Sequence, residues 1–161
     1  MRRMLRYLTL FSICAVSFCA VVHAASAQLT DEQFARFYAR YTGRWRPNNA
    51  KSIFFKGTPP PARTYSYGPI TGERAIKYND VVHTLDGREW PVSSRETERT
   101  VAREVLDEFT VANTLRHNGR ITLRNTTVLS PDGKTFVVVS MDHDERGEWT
   151  TSSVVYYERQ E

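Results

Sequence analysis

Asp142, His143 and Asp144 stand in a row and are the most suggestive group of potential metal ligands in the chain. Carboxylate oxygens and an imidazole nitrogen can together hold a divalent cation. Gly147 follows closely, however, and Asp, His and Gly in that order also make a polar hairpin turn, which is the reading preferred here. His83 and His117 fall on a strand and beside a turn. No two of these three histidines are spaced to put two imidazoles on one face of a helix or strand. Neither a His-Glu-x-x-His zinc motif, a Gly-x-Ser-x-Gly elbow nor a phosphate loop occurs. Glu96, Glu98, Glu104, Asp107 and Glu108 are interleaved with Arg95, Arg99 and Arg103, which reads as a solvated, charge-laced surface. Hydrolysis by paired carboxylates would need two of them buried and facing each other. No catalytic residue, metal ligand or cofactor site is therefore expected.

Aromatic side chains offer a different chemistry. Strand positions carry Tyr65, Tyr67, Tyr78, Trp90, Phe109, Phe136, Trp149, Tyr156 and Tyr157. Aromatics facing a common interior either fill it as core or line an apolar pocket with a few polar handles. Tyr65, Tyr78, Trp90, Phe109 and Trp149 are the candidates for such a ligand pocket.

The elements that must position these residues are mostly strands. Thr30 to Gln33 has the form of a capping box, and Phe34, Phe37, Tyr38 and Tyr41 follow at helical spacing, so one short helix is expected before Gly43. Extended segments follow: Arg63 to Tyr67, Glu73 to Leu85, Thr100 to Leu106, then runs around Val111, Leu123, Val138 and Val155. Asp86-Gly87, Asn118-Gly119, Asp132-Gly133 and Arg146-Gly147 punctuate them. Asn-Gly and Asp-Gly between alternating runs signal tight hairpins. The pattern predicts an all-β antiparallel meander of about eight or nine strands, closing into an up-and-down barrel. Closure removes unpaired edges, and eight strands can enclose one small ligand.

The chain begins with Arg2, Arg3 and Arg6, continues with an apolar run to Val22, and reaches Ala25-Ser26-Ala27. A basic start, a short apolar core and small residues at the exit form the pattern of a cleavable secretory signal over residues 1–27. The run is shorter than the roughly 20 residues needed to span a bilayer, and Thr9, Ser12 and Ser17 interrupt it. Residues 28–161 then form a single domain in the periplasm or outside the cell. Both cysteines, Cys14 and Cys19, leave with the leader, so no disulfide is expected. Three of the 22 basic residues leave too, giving 19 Lys and Arg against 18 Asp and Glu. That near-balance argues against nucleic acid as a partner. Arg120 and Arg124 on one strand, and Glu73, Arg74 and Lys77 on another, interrupt the apolar band an outer-membrane barrel requires.

Gly43-Arg44-Trp45, just after the helix and at the start of the first strand, resembles the Gly-x-Trp of lipocalin and calycin barrels. The resemblance implies that Trp45 closes the barrel floor and that Arg159, near the end of the last strand, packs across its ring. A wider set also matches: Trp45 with Asn48 or Asn49, Lys51-Ser52, the prolines at 59 to 61, Pro131 to Thr135, and Tyr157 to Gln160. Together these resemble small exported bacterial proteins described as lipocalin-like. The likeness covers nearly all of residues 28–161 and implies a fold and a compartment, with no known active site. The expected function is binding of a small hydrophobic ligand, of lipid or isoprenoid type, in the barrel. The alternatives are a filled barrel acting as an envelope interaction or inhibitor module, and a cyclase or isomerase working at the barrel mouth.

Overall fold

A computed structural model describes residues 29–71, 73–78 and 80–161. The expected leader, residues 1–27, lies outside the described residues. The helix forms as its caps dictate. In α1 (Asp31–Tyr41), the Thr30 hydroxyl accepts from the Gln33 amide at 3.2 Å, and the Gln33 side chain accepts from the Thr30 amide at 2.9 Å. Phe34, Phe37 and Tyr41 are the buried stripe of this helix.

Eleven strands follow: β1 (Gly43–Pro47), β2 (Ile53–Phe54), β3 (Tyr65–Pro69), β4 (Ala75–Tyr78), β5 (Val81–Thr84), β6 (Asp86–Ser93), β7 (Glu96–Asp107), β8 (Thr110–His117), β9 (Arg120–Leu129), β10 (Thr135–His143) and β11 (Trp149–Gln160). All ladders are antiparallel, in the order β5-β4-β3-β1-β11-β10-β9-β8-β7-β6, with β2 paired to β11 off that path. The sheet curls until its two ends, β5 and β6, lie side by side, giving a nearly closed all-β barrel. Both side-chain and main-chain bonds span this last step. Trp90 Nε1 donates to Thr84 Oγ1 at 2.9 Å, the Ser94 amide donates to Asp80 Oδ1 at 3.2 Å, and the Val105 amide reaches Leu85 O at 3.3 Å.

The strand count exceeds the eight or nine expected from the sequence. Glu73 to Leu85, read as one strand, is the hairpin β4–β5, with Ala75 opposite Thr84 and Tyr78 opposite Val81. Asp86-Gly87, read as a hairpin turn, instead opens β6. Gly87 has φ +84°, and the β6–β7 register slips between Asp86 and Glu89, so the glycine marks an irregularity inside a strand pair. A second slip sits at Pro91/Ser93, where the ladder loses a donor. By contrast, Asn118 and Gly119, at φ 50° and 75°, form the β8–β9 turn as the Asn-Gly signal requires.

One barrel end is closed by α1. Phe37, Tyr41, Trp45 and Phe136 are essentially inaccessible, and their rings meet in a chain: Phe37–Tyr41 at 5.2 Å, Tyr41–Phe136 at 6.4 Å and Trp45–Phe136 at 4.5 Å. Such pairs add about 0.5–1.5 kcal/mol each beyond area burial. Polar ties fix the helix over this core. The Tyr38 hydroxyl donates to Ala75 O at 2.6 Å and accepts from the Ile70 amide, while Arg74 reaches Leu29 O at 3.0 Å and lies 4.9 Å over Phe34. Among the described residues no helix is long and apolar enough to cross a membrane.

Candidate functional site

Alternation along the strands decides what faces the lumen. In β7 the accessible residues alternate with Val101 and Arg103, which are 2 % and 7 % exposed. In β8 the buried positions are Val111 and Asn113, and in β9 they are Thr127 and Leu129. Cross-strand register then assembles a belt. Arg103 is opposite Asn113, Asn113 opposite Asn125, and Asn125 opposite Ser140. Paired residues of an antiparallel sheet share a face, so one polar row crosses four strands. Hydrogen bonds run along it: Arg103 Nη1 donates to Asn113 Oδ1 at 2.9 Å, and Asn113 Nδ2 donates to Asn125 Oδ1 at 2.7 Å. Apolar pairs lie on either side, Val101 with Leu115 and Val105 with Val111.

This belt forms one wall of a cavity of about 200 Å³ inside the barrel. The rest of the wall comes from Tyr67, Tyr78, Val92, Leu115, Val138 and Tyr157, with Arg99 also contributing. Eight strands thus contribute to one lumen. Tyr67 and Tyr78 stack at 5.2 Å, and the Arg103 guanidinium lies 5.8 Å and 5.1 Å from their ring centres. A more open groove of about 340 Å³ lies elsewhere, along Arg63, Ser66, Gly68 and Lys77. The lumen is the better candidate because it combines enclosure, apolar surface and convergent polar groups.

His83 stands behind Arg103. It is fully buried, its Nδ1 faces Arg103 Nε at 3.5 Å, and its Nε2 has no partner among the described residues. A guanidinium cannot accept a proton bond, so Nδ1 is the lone-pair side and the ring is neutral. Burial, and secondly the Arg103 charge, push its pKa down to about 4. Burial raises the pKa of the phenols of Tyr41, Tyr67 and Tyr157, so these hydroxyls stay protonated.

Searches with protein-family models, among curated proteins and among solved structures find no match for this chain.

Of the five aromatics singled out from the sequence, Tyr78 lines the lumen. Tyr65 meets Tyr157 edge-on at 5.9 Å, one ring removed from the cavity. Trp90 is bound to Thr84 across the β5–β6 line. Phe109 lies under Arg40 of α1 at 4.7 Å, at the closed end. Trp149 is covered by the exposed Arg124 at 4.8 Å and by His143 at 4.1 Å, on the outer face. The five do not converge.

At the floor, Trp45 is fully buried and donates Nε1–H to Tyr41 O at 3.0 Å. The Arg159 guanidinium lies 4.5 Å over its ring and donates to Gly133 O at 2.7 Å, to Thr42 O at 2.8 Å and to Arg40 O. Gly43, at φ +138°, lies against Arg159 so closely that a Cβ there would collide with Nη1. In the loop after β10, Asp144 Oδ1 accepts from the amides of Arg146 and Glu148 at 2.8 and 2.9 Å, which closes a turn. Asp142 pairs with Lys56 at 2.8 Å.

Sequence reasoning misassigned Arg103 by placing it on a charged surface, and it overlooked Asn113 and Asn125 as a ladder. The signal was present. Val101 and Val105 stand two residues either side of Arg103, and that parity turns it inward.

Proposed function

We propose that the chain is exported as a lipocalin-like barrel and binds a small amphipathic molecule in its lumen. The observation that carries this reading is the interior cavity with two chemistries on its wall: tyrosine, valine and leucine on one part, and Arg103 with its asparagine ladder on another. Apolar burial at about 25 cal/mol per Å² would supply affinity, and the polar row would supply orientation. The lumen is smaller than the roughly 300–1,000 Å³ of drug-sized pockets, which favours a short ligand over a long lipid or isoprenoid chain. The signal-like start of the sequence supports a periplasmic or secreted setting. His83 gives little support to catalysis at the mouth, because Arg103 stands between it and the cavity.

Native mass spectrometry of the purified protein, before and after organic extraction, tests the reading directly. A bound small molecule, or uptake of hexan-1-ol by the extracted protein that falls about tenfold or more in Leu115→Trp, is the expected result. A protein that carries nothing and takes up nothing, with Leu115→Trp less stable than the parent because no space receives the larger ring, would mean a filled barrel and an interaction module.

A further inference from the structure

We propose that the lumen is built for a small organic acid, held as its anion with the charged end on Arg103 and the apolar end along Val101 and Leu115. This rests on the reading of the lumen as a ligand cavity and supplies the ligand's chemical class.

Arg103 is 7 % exposed, and no carboxylate among the described residues lies within ion-pair distance of it. Buried guanidinium groups are normally paired, because leaving water costs several kcal/mol that only an opposite charge and full hydrogen bonding offset. Its bonding partners here are neutral: Asn113 Oδ1, His83 Nδ1 at the limit of a hydrogen bond, and the Tyr41 hydroxyl. The phenols of Tyr41, Tyr67 and Tyr157 are held protonated by burial, so none of these serves as the anion. Two tyrosine faces give partial compensation only. A guanidinium carries five N–H donors, more than Asn113, His83 and the Tyr41 hydroxyl engage, and the group borders the cavity. That fork suits a carboxylate, which can take two parallel bonds.

Direction follows from the rows beside the belt. Toward the floor the lumen meets Val105, Val111 and the aromatic cluster around Tyr41 and Phe136, already packed. On the other side Val101 and Leu115 continue the cavity toward Arg99, whose charge is engaged by Glu96 at 3.1 Å. A head on Arg103 therefore leaves its chain pointing to the open end, and a volume of about 200 Å³ limits that chain to a short one.

Calorimetric titration with hexanoate and hexan-1-ol at neutral pH distinguishes the claims. The expected result is hexanoate binding at least about tenfold more tightly than the alcohol. Asn113→Asp keeps the side-chain shape and sets a carboxylate 2.9 Å from Arg103 Nη1. It should abolish the preference, lowering hexanoate binding at least about tenfold relative to hexan-1-ol. Arg103→Met should do the same, and Asn113→Asp decides the matter if that variant fails to fold. Equal binding of acid and alcohol to the parent would overturn the acid and leave the lumen reading standing. Hexanoate binding indifferent to Asn113→Asp would overturn Arg103 as the anchor. Failure of both probes to bind would overturn the lumen reading itself.

Discussion

Two arginines enter this barrel and lie over aromatic rings, and they are treated very differently. Arg159, at the floor, is 4.5 Å above Trp45 and spends its donors on main-chain carbonyls of Gly133, Thr42 and Arg40. Two of those carbonyls belong to the C-terminal end of α1 and its cap, where the helix dipole is negative and orphan acceptors collect. Arg103, half-way up, lies over Tyr78 at 5.1 Å and finds one asparagine oxygen, one histidine nitrogen and the Tyr41 hydroxyl, all neutral. The first charge is absorbed by the fold. The second is buried against neutral groups, beside a cavity. The contrast separates an arginine that assembles the protein from one whose electrostatic complement is not supplied by the chain.

The sharpest way to break that comparison is to make one substitution at both places. Arg159→Met uncovers Trp45 and strips the end of α1 of its donors, so a loss of about 3–5 kcal/mol is expected in urea unfolding. Gly43→Ala, which drives a methyl group into Arg159, should reproduce part of that loss. The next effect in size concerns His83. Its folded pKa of about 4 lies below the unfolded value of 6.5. The unfolded chain therefore binds the extra proton first as pH falls. Stability contributed by the neutral ring is complete above about pH 6.5 and is lost at up to about 1.4 kcal/mol per pH unit down to about pH 4. In His83→Gln, unfolding measured between those limits should lose this slope; an unchanged slope would remove Arg103 and burial as its cause. The smallest effect is that of Arg103→Met. Removing a buried charge without an acidic partner offsets the orphaning of Asn113 Oδ1, so stability should stay within about 1 kcal/mol of the parent. A drop as large as that of Arg159→Met would erase the distinction between the two sites.

What the sequence revealed and what it hid follow one physical line. Features decided by two or three neighbouring residues were legible. The Thr30–Gln33 cap is local chemistry, and the Asn118-Gly119 turn is a local demand for positive φ. The antiparallel, all-β, nearly closed character followed from repeating such units. The strand count did not, because the reversal between Tyr78 and Val81 has no glycine to mark it, only the polar pair Asn79-Asp80, and apolar residues resume directly after it. Gly87, by contrast, looked like a turn and sits at a slipped register inside a ladder. The site was hidden for a third reason. Aromatic residues report burial without saying against what, and so Tyr78 reached the lumen while Phe109 and Trp149 went elsewhere. Arg103 was masked by the glutamates around it in the chain, although only the every-second-residue neighbours Val101 and Val105 share its side.

The line between β5 and β6 sets how this wall can breathe. Among the described residues, every other step joins its strands by paired main chain, whereas this one includes the bonds of Trp90 to Thr84 and of Ser94 to Asp80. Leu85 joins the two strands covalently at the end near α1, so a slit can widen only from the far end, like a zip held shut at its base. Tyr78 and Val92, on the strands flanking that slit or next to it, belong to the lumen. An opening of the barrel along this line therefore leads directly to its interior, without disturbing the packed floor.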